Sequence, residues 1–231
     1  MNLQGMADFY NSQLSLPLHQ QLQGHELIAS LLQAELLHRS DYRTNRYLKI
    51  AKLRQPALPE LVECSVNRNL TRQQFSVLLE GSFIENGQHV LITGATGSGK
   101  SYVACALAHH ACSLGHRTLY LNMNRFYEEV HMSKIENAYL SLLNKYKRFK
   151  VIVLDDFGLR PLDEMARMAF YQIIEDRFMK GALIITSQLP VSGWYDLIGE
   201  PYAADALMDR LTAKAHRIEL KGESRRKEAN Q

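Results

Sequence analysis

Cysteine is scarce in this chain: Cys64, Cys105 and Cys112 are the three among 231 residues. The odd count, with no C-x-x-C pair, excludes a disulfide framework and a thiolate zinc site, and it fits a reducing compartment. Cys105 and Cys112 fall two turns apart in one apolar helix, where they read as small buried hydrophobes. Long apolar runs are missing as well. No stretch approaches the roughly 20 residues that span a bilayer. The opening MNLQGMADFYNSQLSLPLHQQ has neither the basic n-region nor the continuous apolar run of a secretory leader. A soluble, cytoplasmic protein without a membrane partner is expected. The nine histidines show no H-E-x-x-H or comparable spacing, and His109 and His110 point to different faces of a helix, so a metal site made of protein ligands is not expected. Charge of either sign is not in excess: 27 Lys plus Arg face 24 Asp plus Glu. A formal charge of +3 is too small to establish a nucleic-acid partner, and only its distribution is informative.

What is present is enough apolar residue, 46% of the chain, for one well-packed core of roughly 150 residues with an appendage. Residues 1 to about 75 are rich in Leu, Gln and Arg, and Leu27, Ile28, Leu31, Leu32 and Leu36 recur at helical spacing. A second helical stretch is expected from Leu36 to Leu53, stopping near Gln55 because Pro56 and Pro59 disfavour helix before them. A linker then covers about 55 to 70. Beyond it, short β-branched runs alternate with amphipathic segments, as in a parallel sheet with crossover helices. Strands are expected at His89 to Thr93, Arg117 to Met123, Lys150 to Asp155, Ala182 to Ser187 and His216 to Leu220, with helices near 100–114, 124–147, 163–180 and 202–213. The predicted fold is α/β: a five-stranded parallel sheet between helices in residues 71–222, a helical N-terminal domain in 1–70, and a polar tail in 223–231.

Residues 94 to 101 read Gly94-Ala95-Thr96-Gly97-Ser98-Gly99-Lys100-Ser101, a full G-x-x-x-x-G-K-[ST] loop between the strand HVLIT and the helix SYVACALAHHAC. In such a loop, glycines let successive N–H groups turn inward on phosphates, and the following helix N-terminus adds partial positive charge. Lys100 is then expected on the β- and γ-phosphates of ATP and the Ser101 hydroxyl on Mg²⁺. The apolar strand KVIVL ends in Asp155 and Asp156, where a parallel sheet presents its C-terminal edge to a ligand. Asp155 is assigned to Mg²⁺, and Asp156 to orienting or deprotonating the attacking water. Asp156 is a methylene shorter than the glutamate common in fast ATPases of this type. Slow unassisted hydrolysis is expected, below the enzyme median of about 10 s⁻¹. At the end of the next strand, Gln188 is either a γ-phosphate sensor or a turn side chain ahead of Pro190. Arg210 is either an arginine offered to a neighbouring subunit or a surface residue paired with Asp209 or Asp205.

The stretches LITGATGSGKSYVACALAHHAC, VIVLDDFGLRPLDE and IITSQLPVSGWYDLIGEPYAADALMDRLTAKAHRIELKGESRRK resemble the IstB family, AAA+ ATPases encoded beside the transposase in bacterial insertion sequences and related to the helicase loader DnaC. The resemblance runs from about residue 5 to 228 and is most specific after 88. Ser101-Tyr102 stands where many relatives have Thr-His, and the stretch from Asn122 to Phe126 has no confident counterpart. Gln188 favours the transposition helpers over the loaders, which tend to carry Asn there. The resemblance implies an ATP-dependent homo-oligomer that binds double-stranded target DNA and recruits a transposase. It also implies an ATP site spanning subunits, which favours the trans role for Arg210.

Charge distribution offers two candidate DNA surfaces. Arg39, Arg43 and Arg46 fall on one helical face, with Lys49 nearby and Tyr42 and Tyr47 interleaved. Lys145, Lys147 and Arg148 precede the acidic strand, in helices that can face DNA in the clade this chain resembles. Three rival functions are open. A helicase loader would differ in the N-terminal 75 residues, which choose the partner. A small-molecule kinase would need an arginine-rich lid after the fourth helix, and none is evident. A module that holds ATP without hydrolysing it is argued against by Asp155 and Asp156.

Overall fold

The structure, a computed structural model, describes residues 3–199 and 201–222, with 201–203 described by their backbone alone. Helix α1 (Gln4–Leu14) crosses α2 (Gly24–Ala51) so tightly at Gly5 that a Cβ there would lie 2.6 Å from the Ala34 carbonyl oxygen. The two helical stretches expected before Pro56 are one continuous helix of 28 residues, because neither Gly nor Pro interrupts the chain between Gly24 and Gln55. It ends where Lys52 enters the left-handed region at φ 53°. Helix α2 lies against the helix that follows the glycine-rich loop and against the second strand.

The stretch expected as a linker is instead part of the core. Ala57, Val62 and Leu70 are almost fully buried and pack with Ala104, Leu107 and the central strands. Apolar side chains between prolines still gain more from leaving water than from hanging free. A short 3₁₀ turn (Pro59–Leu61), α3 (Arg72–Leu79), with a Thr71/Gln74 capping box, and α4 (Ser82–Glu85) lead into the sheet.

Strands β1 (Val90–Gly94), β2 (Thr118–Asn122), β3 (Val151–Phe157), β4 (Ala182–Ser187) and β5 (His216–Leu220) form one parallel sheet in the order β2-β3-β4-β1-β5. Both faces are covered, which is why the central strands are apolar nearly throughout. One face packs under α5 (Lys100–Ser113), where Cys105 and Cys112 are buried and their thiols pushed up to about 11 by that burial. The other packs under α6 (Met123–Ile135), α7 (Tyr139–Lys147), α8 (Glu164–Arg177), α9 (Trp194–Ile198) and α10 (Pro201–Thr212).

Two further features differ from the sequence reading. The single helix expected over 124–147 breaks at Asn137, which adopts φ 53°, a conformation asparagine tolerates better than most residues. The short α9 was also not anticipated. It exists to seat Trp194, whose buried ring packs on Phe157 at a centroid distance of 4.8 Å and whose indole N–H donates to the Leu189 carbonyl at 3.2 Å.

At the N-terminal edge of the sheet the buried Arg177 ties strands together, donating to the carbonyls of Phe149 (2.8 Å), Lys150 (2.6 Å) and Ala182 (3.2 Å). At the opposite edge the loops after β1, β3 and β4 converge. Because β4 lies between β3 and β1, the residues that end it stand between the phosphate loop and the acidic pair.

Candidate functional site

The loop between β1 and α5 is shaped by glycine. Gly94 has φ 143° and a Cβ there would collide with the Leu220 carbonyl, while Gly99 has φ 92° and a Cβ would press within 2.9 Å of Arg68 Nη2. Arg68 in turn donates to the Ser98 carbonyl at 2.8 Å, holding the loop from outside. Gly94 through Ser101 thus form one turn running into the N-terminus of α5. Lys100 Nζ donates to the carbonyls of Gly94 (2.9 Å) and Ala95 (2.8 Å), at the mouth of that turn.

Asp155 closes the other side. It is fully buried and receives Ser101 Oγ at 2.8 Å and Thr186 Oγ1 at 2.5 Å on one oxygen, and the Tyr120 hydroxyl and Arg54 Nη1 (3.1 Å) on the other. A buried carboxylate needs such partners, since an unpaired charge away from water costs several kcal/mol. The Tyr120 phenol stays a donor. Burial, then the adjacent Asp155, push its pKa far up.

Asp156 is aimed by its backbone. In a regular strand it would face away from Asp155, but the β3–β4 register slips between Leu154 and Phe157, and Asp156 sits at φ 64°. Its N–H donates to Thr186 Oγ1 at 3.0 Å, and its carboxylate receives Asn122 Nδ2 at 3.0 Å and Arg54 Nη1 at 3.3 Å. A non-glycine residue held in this region is strained by about 1–3 kcal/mol, and such strain gathers at functional sites. Here it brings both carboxylates to one side.

From β4, Gln188 Oε1 accepts from Thr96 Oγ1 of the phosphate loop at 2.7 Å. Thr96, Lys100, Ser101, Asp156, Arg54 and Gln188 border a cavity of about 640 Å³, within the size range of small-molecule clefts, whose outer wall includes Leu61, Glu63 and Tyr102; Asp155 lies fully buried behind it. Among the described residues no group of three or more His, Cys, Asp or Glu is arranged to hold a metal ion. The Ser101 hydroxyl and Asp155 carboxylate in direct contact nevertheless suit Mg²⁺, which takes few protein oxygens and completes its shell with phosphate and water.

Arg210 does not border this cavity. Its Nε lies 2.8 Å from Glu175 Oε1 and its guanidinium sits 5.7 Å from the Tyr171 ring centroid, so its partner within the chain is on α8, not Asp209 or Asp205. The candidate DNA residues lie on two elements, α2 and the end of α7. Arg39 pairs with the buried Glu35 at 2.7 Å. Arg43 lies against the α5–β2 turn, where a Cβ on Gly115 would come within 3.1 Å of its Cζ. Arg46 and Lys49 are exposed. Lys145 pairs with Glu129 (2.8 Å) and Lys147 with Asp176 (3.1 Å), and exposed Arg148 stands with them before the start of β3, at the sheet edge opposite the phosphate loop.

Sequence reasoning missed Arg54, Tyr120, Asn122 and Arg68, and gave Thr186 no definite task. Thr186 and Asn122 carried a local signal, a polar side chain at the end of an apolar strand.

A parallel sheet of this order, with a phosphate loop after β1 and an acidic strand end two positions across, defines a P-loop ATPase domain of the AAA+ class. Solved structures agree on the fold: DnaA bound to AMPPCP and single-stranded DNA superposes with a TM-score of 0.61 at 20% identity, covering 74% of this chain and 52% of that one. The DnaC helicase loader gives 0.59 at 18% identity, covering 76% and 99%. Within that class the chain belongs to the family of IstB-like ATP binding proteins, whose model matches residues 1–231. It is 40% identical over 227 residues to an insertion sequence ATP-binding protein, y4pL, of Sinorhizobium fredii, covering 98% of this chain and 93% of the relative. It is 26% identical over 226 residues to the insertion sequence IS21 ATP-binding protein of Pseudomonas aeruginosa, covering 98% and 85%.

Proposed function

We propose that this protein is the ATP-dependent, DNA-binding helper of a transposase, that it assembles as a homo-oligomer on double-stranded target DNA in the ATP state, and that it hydrolyses ATP between subunits. The observation that carries this reading is the contact between Ser101 and Asp155 beneath a complete phosphate loop, in a chain that matches its family along its full length.

Lys100 and the loop N–H groups bind the phosphates and neutralise their charge. Ser101 and Asp155 hold Mg²⁺, which supplies further charge stabilisation at the transferring phosphoryl group. Asp156, on its strained bulge, orients the attacking water and takes its proton. Gln188, tied to the loop through Thr96, senses the γ-phosphate. Arg210 completes a neighbour's site in trans, exchanging Glu175 for the γ-phosphate. On DNA, the exposed arginines of α2 with Lys49 neutralise backbone phosphates, and Lys145, Lys147 and Arg148 form a second basic surface.

A DnaC-like helicase loader is the alternative that the fold permits. Against it stands the family match over the N-terminal residues, the part that selects the partner. The test is assembly on random-sequence duplex DNA, followed by sedimentation and by filter binding over a salt series. Wild type should form large, salt-sensitive complexes only with ATP, and Lys100→Ala should form none. If both proteins stay monomeric and ignore DNA in ATP, the helper reading is wrong and only the nucleotide site survives.

A further inference from the structure

In the linear chain Arg54 is one more positive charge in a basic stretch, yet the fold uses it differently. It follows the buried end of α2 and turns its guanidinium into the ATP site, where Nη1 lies 3.1 Å from Asp155 Oδ2 and 3.3 Å from Asp156 Oδ2, 101 and 102 positions along the chain. The other donors to Asp155 are the neutral hydroxyls of Ser101, Thr186 and Tyr120. The guanidinium therefore brings positive charge to the same two carboxylates that a divalent cation would need. Arg54 also borders the cavity and its side chain is 43% exposed, so it has room to swing away.

We propose that Arg54 is a positioning residue that competes with Mg²⁺ for the Asp155–Asp156 pair, so that the N-terminal helical segment sets how readily metal-bound ATP is accepted. The inference rests on the reading of Ser101 and Asp155 as magnesium ligands. Two cations sharing one carboxylate repel each other, and at separations of about 4–6 Å a neighbouring charge shifts such an equilibrium by one to three powers of ten. Binding of Mg²⁺ thus weakens the ionic tie that Arg54 makes from the end of α2 to the catalytic edge, and that tie in turn lowers the affinity for Mg²⁺.

The experiment is equilibrium binding of a fluorescent ATP analogue to the full chain, in chelator and across a Mg²⁺ titration, for wild type, Arg54→Ala and Arg54→Lys. Arg54→Ala should lower the Mg²⁺ midpoint roughly tenfold while leaving affinity in chelator nearly unchanged, and Arg54→Lys, which keeps the charge without the fork, should fall between. Arg54→Gln replaces the alanine variant if the latter melts early. An unchanged or raised midpoint overturns the proposal. So does an equal loss of affinity with and without Mg²⁺, which would make Arg54 a phosphate ligand. If wild-type binding shows no Mg²⁺ dependence, the Ser101 and Asp155 assignment falls and the competition falls with it. A normal wild-type titration with unaltered variants removes the competition alone.

Discussion

Thr186 shows how one buried hydroxyl organises the acidic strand end. It donates to Asp155 at 2.5 Å and accepts from the Asp156 N–H at 3.0 Å, so it holds one carboxylate and the strained backbone of the next residue at once. Thr186→Val keeps the shape but strips both bonds. Leaving a buried donor and a buried carboxylate short of a partner should lower stability by about 1–3 kcal/mol, read in urea melts as a lower midpoint with an unchanged slope. Hydrolysis should fall further than ATP affinity, because the Asp156 carboxylate loses its aim while the phosphate loop is untouched. Equal losses in both would mean that Thr186 only supports the fold.

At the scale of elements, the sheet is fastened differently at its two edges. The C-terminal edge carries loops and ligand groups, whereas the N-terminal edge is closed by Arg177 and by His89, whose Nδ1 accepts the Leu183 N–H at 3.1 Å. Burial, and secondarily the Arg177 charge, depress the His89 pKa from 6.5 to about 4. The folded state therefore holds His89 neutral while the unfolded chain takes up a proton below pH 6.5. Its contribution to stability is complete above pH 6.5 and is lost as pH falls toward about 4. His89→Gln keeps an acceptor for Leu183 and should flatten that part of the stability profile. If the mutant and wild-type profiles run parallel in this window, His89 is not the group responsible.

At the scale of the whole molecule, the catalytic apparatus of one chain is incomplete on this reading, since Arg210 stands away from its own cavity and leans on Glu175 and Tyr171. Arg210→Ala should bind ATP normally and hydrolyse it poorly, and Lys100→Ala should lose ATP. Mixed together in excess DNA, the two should regain part of the wild-type rate, because a Lys100→Ala subunit can lend its arginine to an intact site on the next subunit. No recovery in any ratio would place Arg210 outside the shared site.

Much of this molecule was decided locally. The phosphate loop, the two carboxylates and the five strands are written in contiguous runs whose residue types dictate turn, strand or helix, so they were legible from Gly94-to-Ser101 and from VIVLDD alone. The burial of the 55–70 stretch was not legible there, because it depends on what the rest of the fold packs against, whereas the continuity of α2 and the break at Asn137 have local causes, the absence of Gly and Pro after Gly24 and an asparagine at φ 53°. The site divides the same way. Lys100 and Ser101 belong to a motif, but Arg54, Tyr120 and Thr186 reach Asp155 only because the strand order and the path from α2 carry distant positions to one sheet edge. Sequence spacing determines which groups a short segment can offer. Only tertiary structure decides which charges share a buried site, since the energy of pairing them depends on distance through space and on the water excluded between them.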